Sequence, residues 1–215
     1  MALTMKRIGY GQVEPNQLSA QKTGQIYASL ALAKDVNVLQ NGEFMFYDYV
    51  TNSVCADDST GVAEPMLVFN EVKIYEDHLS YKDFAMIRVG DNYVTNRPAV
   101  GTITTANFDG TVYGDGALTE GVNADPAHTD YGYRMDGFAP RLFKTNIGDI
   151  YTTNMVKVDV EYAVGDLLAP KKNDETKTMV LEKVDDAAAE RMAWAVVKVY
   201  TMPDGQPGLK LQRVK

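Results

Sequence analysis

Apolar and polar positions alternate most sharply in the last third of the chain. In "VKVDVEYAVGDLLAP", Val156, Val158, Val160, Tyr162 and Val164 fall on one side of an extended chain, and Lys157, Asp159 and Glu161 fall on the other. Successive side chains of a strand point to opposite faces, so this period of two predicts a half-buried strand. "TMVLEKV" (178–184) predicts the next strand, after a charged turn in "KKNDETK" (171–177). "WAVVKVY" (194–200) and "LKLQRV" (209–214) flank Pro-Asp-Gly-Gln-Pro-Gly and predict a closing hairpin. Before that hairpin "DDAAAERMA" (185–193) has room for one helical turn capped by Asp185 or Asp186. Upstream, "RLFKTNIGDIYTTN" (141–154) reads as strand, Gly-Asp turn, strand.

The first half is less regular. "EFMFYDYV" (43–50) places Phe44 and Phe46 on one face and Met45, Tyr47 and Tyr49 on the other, the pattern of a strand covered on both sides. "MLVFNEVKIYE" (66–76), "FAMIRVGDNYV" (84–94) and "RPAVGTITTANF" (97–108) are β-rich, and "SVCADDSTGVAEP" (53–65) reads as a loop. "IYASLALAKDVNVLQNGE" (26–43) mixes helix and strand signals and is taken as extended. Residues 1–25, rich in glycine and amides, read as an extended arm ordered only against a partner. The stretch 109–137, dense in Gly, Asp and Tyr, reads as a long loop that contacts something.

These segments predict a mainly β protein: compact barrel- or sandwich-like modules, an extended N-terminal arm and few short helices. Three parts are expected: an arm and lead-in segment at 1–41, a β-rich domain with its long loop at 42–137, and a C-terminal β module at 138–215.

Composition narrows the function. The net charge of -8, from 29 acids and 21 bases, gives no basic stripe for nucleic acid. Lys210, Arg213 and Lys215 near the end are too few to form one. The longest early apolar run, "IYASLALA", is far short of a membrane span, and "MALTMKRIGYGQ" lacks the apolar core of a secretory signal. The single cysteine, Cys55, excludes an intrachain disulfide and is expected to be a small, unreactive hydrophobe.

Candidate chemistry is sparse. His78 and His128 stand 50 residues apart without the company a metal site needs. Asp109, Asp115, Asp125, Asp130 and Asp136 do not follow a calcium-loop spacing. Asp57-Asp58 and Glu76-Asp77 are neighbouring carboxylates without a predicted cleft. No phosphate loop, dinucleotide fingerprint or nucleophile elbow occurs. No catalytic, cofactor-binding or metal-binding residue is assigned, and the chain is not expected to be an enzyme. The aromatic run of the strand (Phe44, Phe46, Tyr47, Tyr49) and the tyrosines of the loop (Tyr113, Tyr131, Tyr133) offer rings on which sugars could stack; a core role is favoured for the strand, and the loop stays open between stacking and anchoring.

"GEFMFYDYV", "PMLVFNEVKIYE", "PRLFKTNIGDIYTTN", "VGDLLAPKKNDET" and "AVVKVYTMPDGQPGLKLQRV" together resemble structural proteins of tailed bacteriophages, and more narrowly capsid auxiliary proteins of the decoration or cement type. The resemblance is carried by the Gly165-Asp166-Leu167 strand start and the closing hairpin, and is firmest over 140–215. It implies a virion location after synthesis in the host bacterial cytoplasm. It also implies the major capsid protein as partner, self-association around a lattice axis, and a stabilising role on the head. A tail, neck or fibre component with a host- or glycan-binding role is the alternative.

Overall fold

Strand pairing, not helix formation, organises the chain. The structure, a computed structural model, describes residues 2–7, 11–33, 35–36, 38–70, 86–88 (backbone only), 139–202 and 205–215. The N-terminal quarter contributes β1 (Leu3–Thr4), β2 (Val13–Gln17), the five-residue helix α1 (Ser19–Thr23), β3 (Ile26–Tyr27), β4 (Ala31–Leu32) and β5 (Val38–Gln40). Then come β6 (Phe44–Asp48), β7 (Ser53–Cys55), β8 (Met66–Val68) and β9 (Met86–Arg88). The C-terminal part supplies β10 (Leu142–Phe143), β11 (Ile150–Thr153), β12 (Glu161–Tyr162), β13 (Leu167–Asn173), β14 (Thr178–Val184), β15 (Trp194–Thr201) and β16 (Pro207–Arg213). A 3₁₀ turn at Ala187–Ala189 is the helical turn expected there; Asp186 caps it by accepting from the Ala188 amide.

Among the described residues twelve strands share one sheet, with the path β2-β11-β16-β15-β13-β14-β6-β8-β10-β3 and with β7 and β4 attached through β6. The fold is mainly β, and the sheet curls into an open half-barrel. Its centre is two antiparallel hairpins, β13–β14 and β15–β16. In the first, Asn173 makes the turn: its side chain accepts from the Glu175 amide and its carbonyl from the Lys177 amide. In the second, the Met202 amide donates to the Gln206 carbonyl and the Gly205 amide to the Met202 carbonyl.

The core includes buried residues of all four strands of these hairpins. Trp194 is fully buried, edge-on to Tyr151 at 4.8 Å and tilted against Phe44 at 6.0 Å. Offset and edge-to-face ring pairs of this kind add to area burial. All five residues of β6 are buried, as its two-faced apolar pattern predicts. β6 pairs with β14, and β8 with β10, so strands from 42–70 and from 138–215 share one sheet and one hydrophobic cluster.

Two expectations are corrected. The run 156–164 is not one strand: Asp159 adopts a positive φ of 59° and Gly165 one of 95°, which break it. Val156 and Tyr162 are buried, whereas Val158 and Val164 are exposed, so the shared face does not exist. The segment 141–154 is strand, turn, strand as the sequence predicts, and its two strands take separate places in the sheet: β10 lies between β8 and β3, and β11 between β16 and β2. The N-terminal segment is extended but is not a free arm. Within residues 2–7 and 11–25, β1 pairs with β12, β2 pairs with β11, and Met5, Leu18 and Ala20 enter the core. The polar composition that suggested disorder instead supplies side-chain hydrogen bonds across 130 or more residues: Asn16 Oδ1 accepts from the Thr152 hydroxyl, and the Ser19 hydroxyl donates to Asp149 Oδ2.

Candidate functional site

Three groupings of polar or aromatic side chains stand out, each built by the sheet. The first surrounds the loop 56–65, which joins β7 to β8. Its three carboxylates each meet a base from the C-terminal part: Asp57 with Lys172 at 2.5 Å, Asp58 with Arg191 at 2.6 Å, and Glu64 with Arg213 at 3.0 Å. Arg191 also donates to the carbonyls of Gly61 and Ala63 and lies over the Phe46 ring. Desolvation alone would raise the Asp58 pKa. Hydrogen bonds from the Thr60 hydroxyl, Arg191 and the amides of Thr60 and Ala63 outweigh it and hold the carboxyl well below the usual range. Beside this loop lies a cavity of about 300 Å³ lined by Phe46, Pro65, Pro170, Met179 and Met192, together with Arg191.

The second grouping is interior. Glu43 is 3% exposed. It accepts from the Gln40 amide at 2.7 Å and from the Thr178 hydroxyl at 2.8 Å. Burial pushes its carboxyl up to about 7, against the two hydrogen bonds and the attraction of Arg7. The third is a row of rings at the end of β6. Tyr27 and Tyr47 lie 5.2 Å apart, Tyr47 and Tyr49 also 5.2 Å apart, and the ladder runs from a buried Tyr47 to a Tyr49 that is 70% exposed. The Tyr47 hydroxyl is fixed by the Ser29 amide and hydroxyl.

The residues singled out from sequence fall as follows. Phe44 and Phe46 are core. Cys55 is half-buried, donates to the Asp57 carbonyl at 3.0 Å, and has its thiol pKa raised by desolvation, which fits an unreactive role. Asp57 and Asp58 do not converge on a cleft; each is held by its own base. Of the terminal bases, Arg213 is an internal tie: it is 5% exposed and donates to the Thr145 carbonyl, to Glu64 and to the Lys215 carbonyl. His78, His128, Glu76, Asp77, and the whole 109–137 stretch with its aspartates and tyrosines lie outside the described residues. Among the described residues no group of three or more His, Cys, Asp or Glu side chains is placed to hold a metal ion, and no helix is long and apolar enough to cross a membrane.

Reading by sequence missed Glu43 and Arg191. Glu43 follows the Asn41-Gly42 turn signal, but its burial depends on Thr178, which is 135 residues away. Arg191 sits in an Ala-rich turn whose partner loop is 133 residues distant. Comparison of the chain with known protein families, characterised proteins and solved structures returns no match.

Proposed function

We propose that the chain is a structural protein of a tailed-bacteriophage virion, seated on the outer capsid lattice as a decoration or cement protein. Its partners in this reading are the major capsid protein and further copies of itself around a lattice axis. The observation that carries the reading is the way both ends of the chain are sewn into one sheet. β2, near the N-terminus, lies on β11, which lies on β16, the last strand, which lies on β15. A head protein must resist outward pressure, and a sheet that anchors both ends transmits load through backbone hydrogen bonds and not through a mobile segment. The hydrogen-bonded, ion-paired disposition of Asp57, Asp58 and Glu64 also favours a structural role over catalysis.

The fold shifts the expected contact surface. With residues 11–25 engaged inside the sheet, capsid contact falls to exposed edges and turns. One is the β6–β7 turn, where Tyr49 and Val50 are 70% and 74% exposed. Several such contacts, engaged together, multiply affinity by about 10²–10⁴. The test is co-sedimentation of the purified protein with capsids stripped of it, with its density located on intact virions. Stoichiometric retention supports the reading; absence from virions, or failure to bind stripped capsids, overturns it.

The tyrosine ladder favours a second reading, a tail, neck or fibre component that binds host glycans. An exposed ring backed by two others is a surface on which sugar rings stack. Glycan binding that is lost in Tyr49→Ala, by a protein located on the tail, would select this reading instead.

A further inference from the structure

Strand β15 runs on past one of its neighbours. β13 pairs with it only through Leu167 with Ala195 and Leu168 with Trp194. The seam ends where the Val196 amide donates to the Asp166 carbonyl at 2.9 Å and the Gly165 amide to the Val196 carbonyl at 2.8 Å. There the chain that leads into β13 turns away. Gly165 takes a positive φ, and Asp166 closes the turn by accepting from the Ala163 amide, so nothing of β13 follows β15 further. Beyond the bulge at Val197, residues 198–201 pair with β16 on one side. On the other side, among the described residues, no strand pairs with them.

An open strand edge presents a row of N–H and C=O groups and is a template for another strand. This edge has the apolar surface to accept one. Val197 is 39% exposed, Val199 and Tyr200 are half-buried, and the exposed Val164 stands just before the Gly165 contact. Lysines and bulges blunt such edges against indiscriminate pairing, and β15 carries both, in Lys198 and Val197. The blunting is selective. The Lys198 ammonium lies 5.8 Å from the centroid of its own Tyr200 ring, while Val199 between them packs against the core. A strand that sets an aromatic ring opposite Lys198 meets it favourably, and one that sets a second cation there is repelled.

We propose that residues 197–201 are a self-docking edge, on which β15 of a second copy of the chain adds antiparallel about a two-fold axis through Val199. A two-fold contact needs a self-complementary surface, and this register is one. Val199 faces the partner's Val199, Lys198 faces the partner's Tyr200 twice over, and Val197 faces the partner's Thr201. No like charges are opposed, whereas an axis through Lys198 would set the two lysines against each other. The edge is short, so the contact belongs to the weak class of interfaces. It rests on the part of the proposed function in which copies gather around a lattice axis, where weak contacts engaged together become strong.

Sedimentation velocity of the free full chain, from micromolar to near-millimolar concentration, should show a monomer passing into a dimer. Val197→Lys combined with Thr201→Lys sets cations opposite each other at both ends of the paired stretch, and should weaken the dimer about tenfold or more. Val197→Lys combined with Thr201→Glu sets opposite charges at the same places and should restore it, because this register brings 197 to 201. Both positions are exposed, and circular dichroism checks that the variants fold. Hydrogen exchange on the wild type needs no variant: the amides of 197–201 should gain protection as concentration rises, while those of β2, at an end of the sheet path, should not. A chain that stays monomeric, a dimer indifferent to the lysine pair, a lysine–glutamate pair that fails to restore it, or a 197–201 stretch equally protected in the dilute monomer overturns the proposal. The free protein is used throughout, so that failure leaves co-sedimentation with capsids to decide the virion reading on its own.

Discussion

The Thr178 hydroxyl donates to Glu43 Oε1 at 2.8 Å where neither residue reaches solvent, so β14 and the turn before β6 are joined through a buried carboxyl group. Burial raises the Glu43 pKa from an ordinary 4.5 to about 7. A raised folded-state value means that the folded protein holds this proton more tightly than the unfolded chain. The associated stability is fully present below about pH 4.5 and is lost as pH rises through about 7. The shift corresponds to on the order of 3 kcal/mol. Glu43→Gln keeps an acceptor for Thr178 or Gln40 but removes the titration. Denaturant unfolding between pH 5 and 8 should show the wild type losing stability with pH and the variant nearly flat. Parallel curves would show that Glu43 does not carry the dependence.

Asp149 ties the N-terminal segment to the centre of the fold. Its carboxylate accepts from the Ser19 amide at 3.0 Å, the Ser19 hydroxyl at 2.9 Å and the Asn146 amide at 2.8 Å. Asp149→Ala leaves those donors without their acceptor, so a cost of about 2–4 kcal/mol is expected. Deleting residues 1–25 removes the buried Met5, Leu18 and Ala20 as well, and should lower the melting temperature of the isolated protein severely. A truncated chain that melts like the full one would restore the free-arm picture that the composition suggested.

That picture shows where the sequence was legible and where it was not. The closing hairpin was legible because strand periodicity flanks the turn chemistry around Gly205, and β14 was legible after the charged turn that precedes it. The doubly covered strand β6 was legible because aromatic residues fill both of its faces. Over 156–164 the same alternation misled, since a single positive φ at Asp159 redirects the chain, and period alone does not reveal it. The N-terminal segment misled for another reason: its order comes from Asn154, Asp149 and Thr152, all more than 125 residues away. The ion pairs around the 56–65 loop were invisible for the same reason, because Arg191, Lys172 and Arg213 become neighbours of one loop only through the sheet order.

The closing hairpin should be a determinant of folding itself. Leu211 is fully buried in β16, paired with Tyr151 on one side and Val196 on the other. Leu211→Asp places an unpaired carboxylate in that interior, at a cost of several kcal/mol, comparable to the whole stability of a typical domain. The variant should be insoluble or unfolded by circular dichroism. Leu211→Ala, which leaves a cavity without a charge, should fold but lose about 2–5 kcal/mol in denaturant titration. A folded, wild-type-like aspartate variant would mean that β16 is peripheral.

Tyr151 offers a test in the opposite direction. Its ring stands edge-on to Trp194 in the centre of the core, and its hydroxyl is buried with no hydrogen-bond partner among the described residues. Burial raises its pKa well above the ordinary value, so the group is neutral at every ordinary pH and still lacks the bonds it would make in water. An unsatisfied buried hydroxyl costs about 1–3 kcal/mol. Tyr151→Phe removes it while keeping the ring, the contact with Trp194 and the packing of β11 on β16. The variant should therefore match or exceed the wild type, by up to about 1 kcal/mol, with an unchanged denaturant slope. Tyr151→Leu, which loses the ring contact and leaves a void, should be less stable than both. If Tyr151→Phe is clearly destabilising, the hydroxyl has a partner, and a buried water or a segment outside the described residues must reach it.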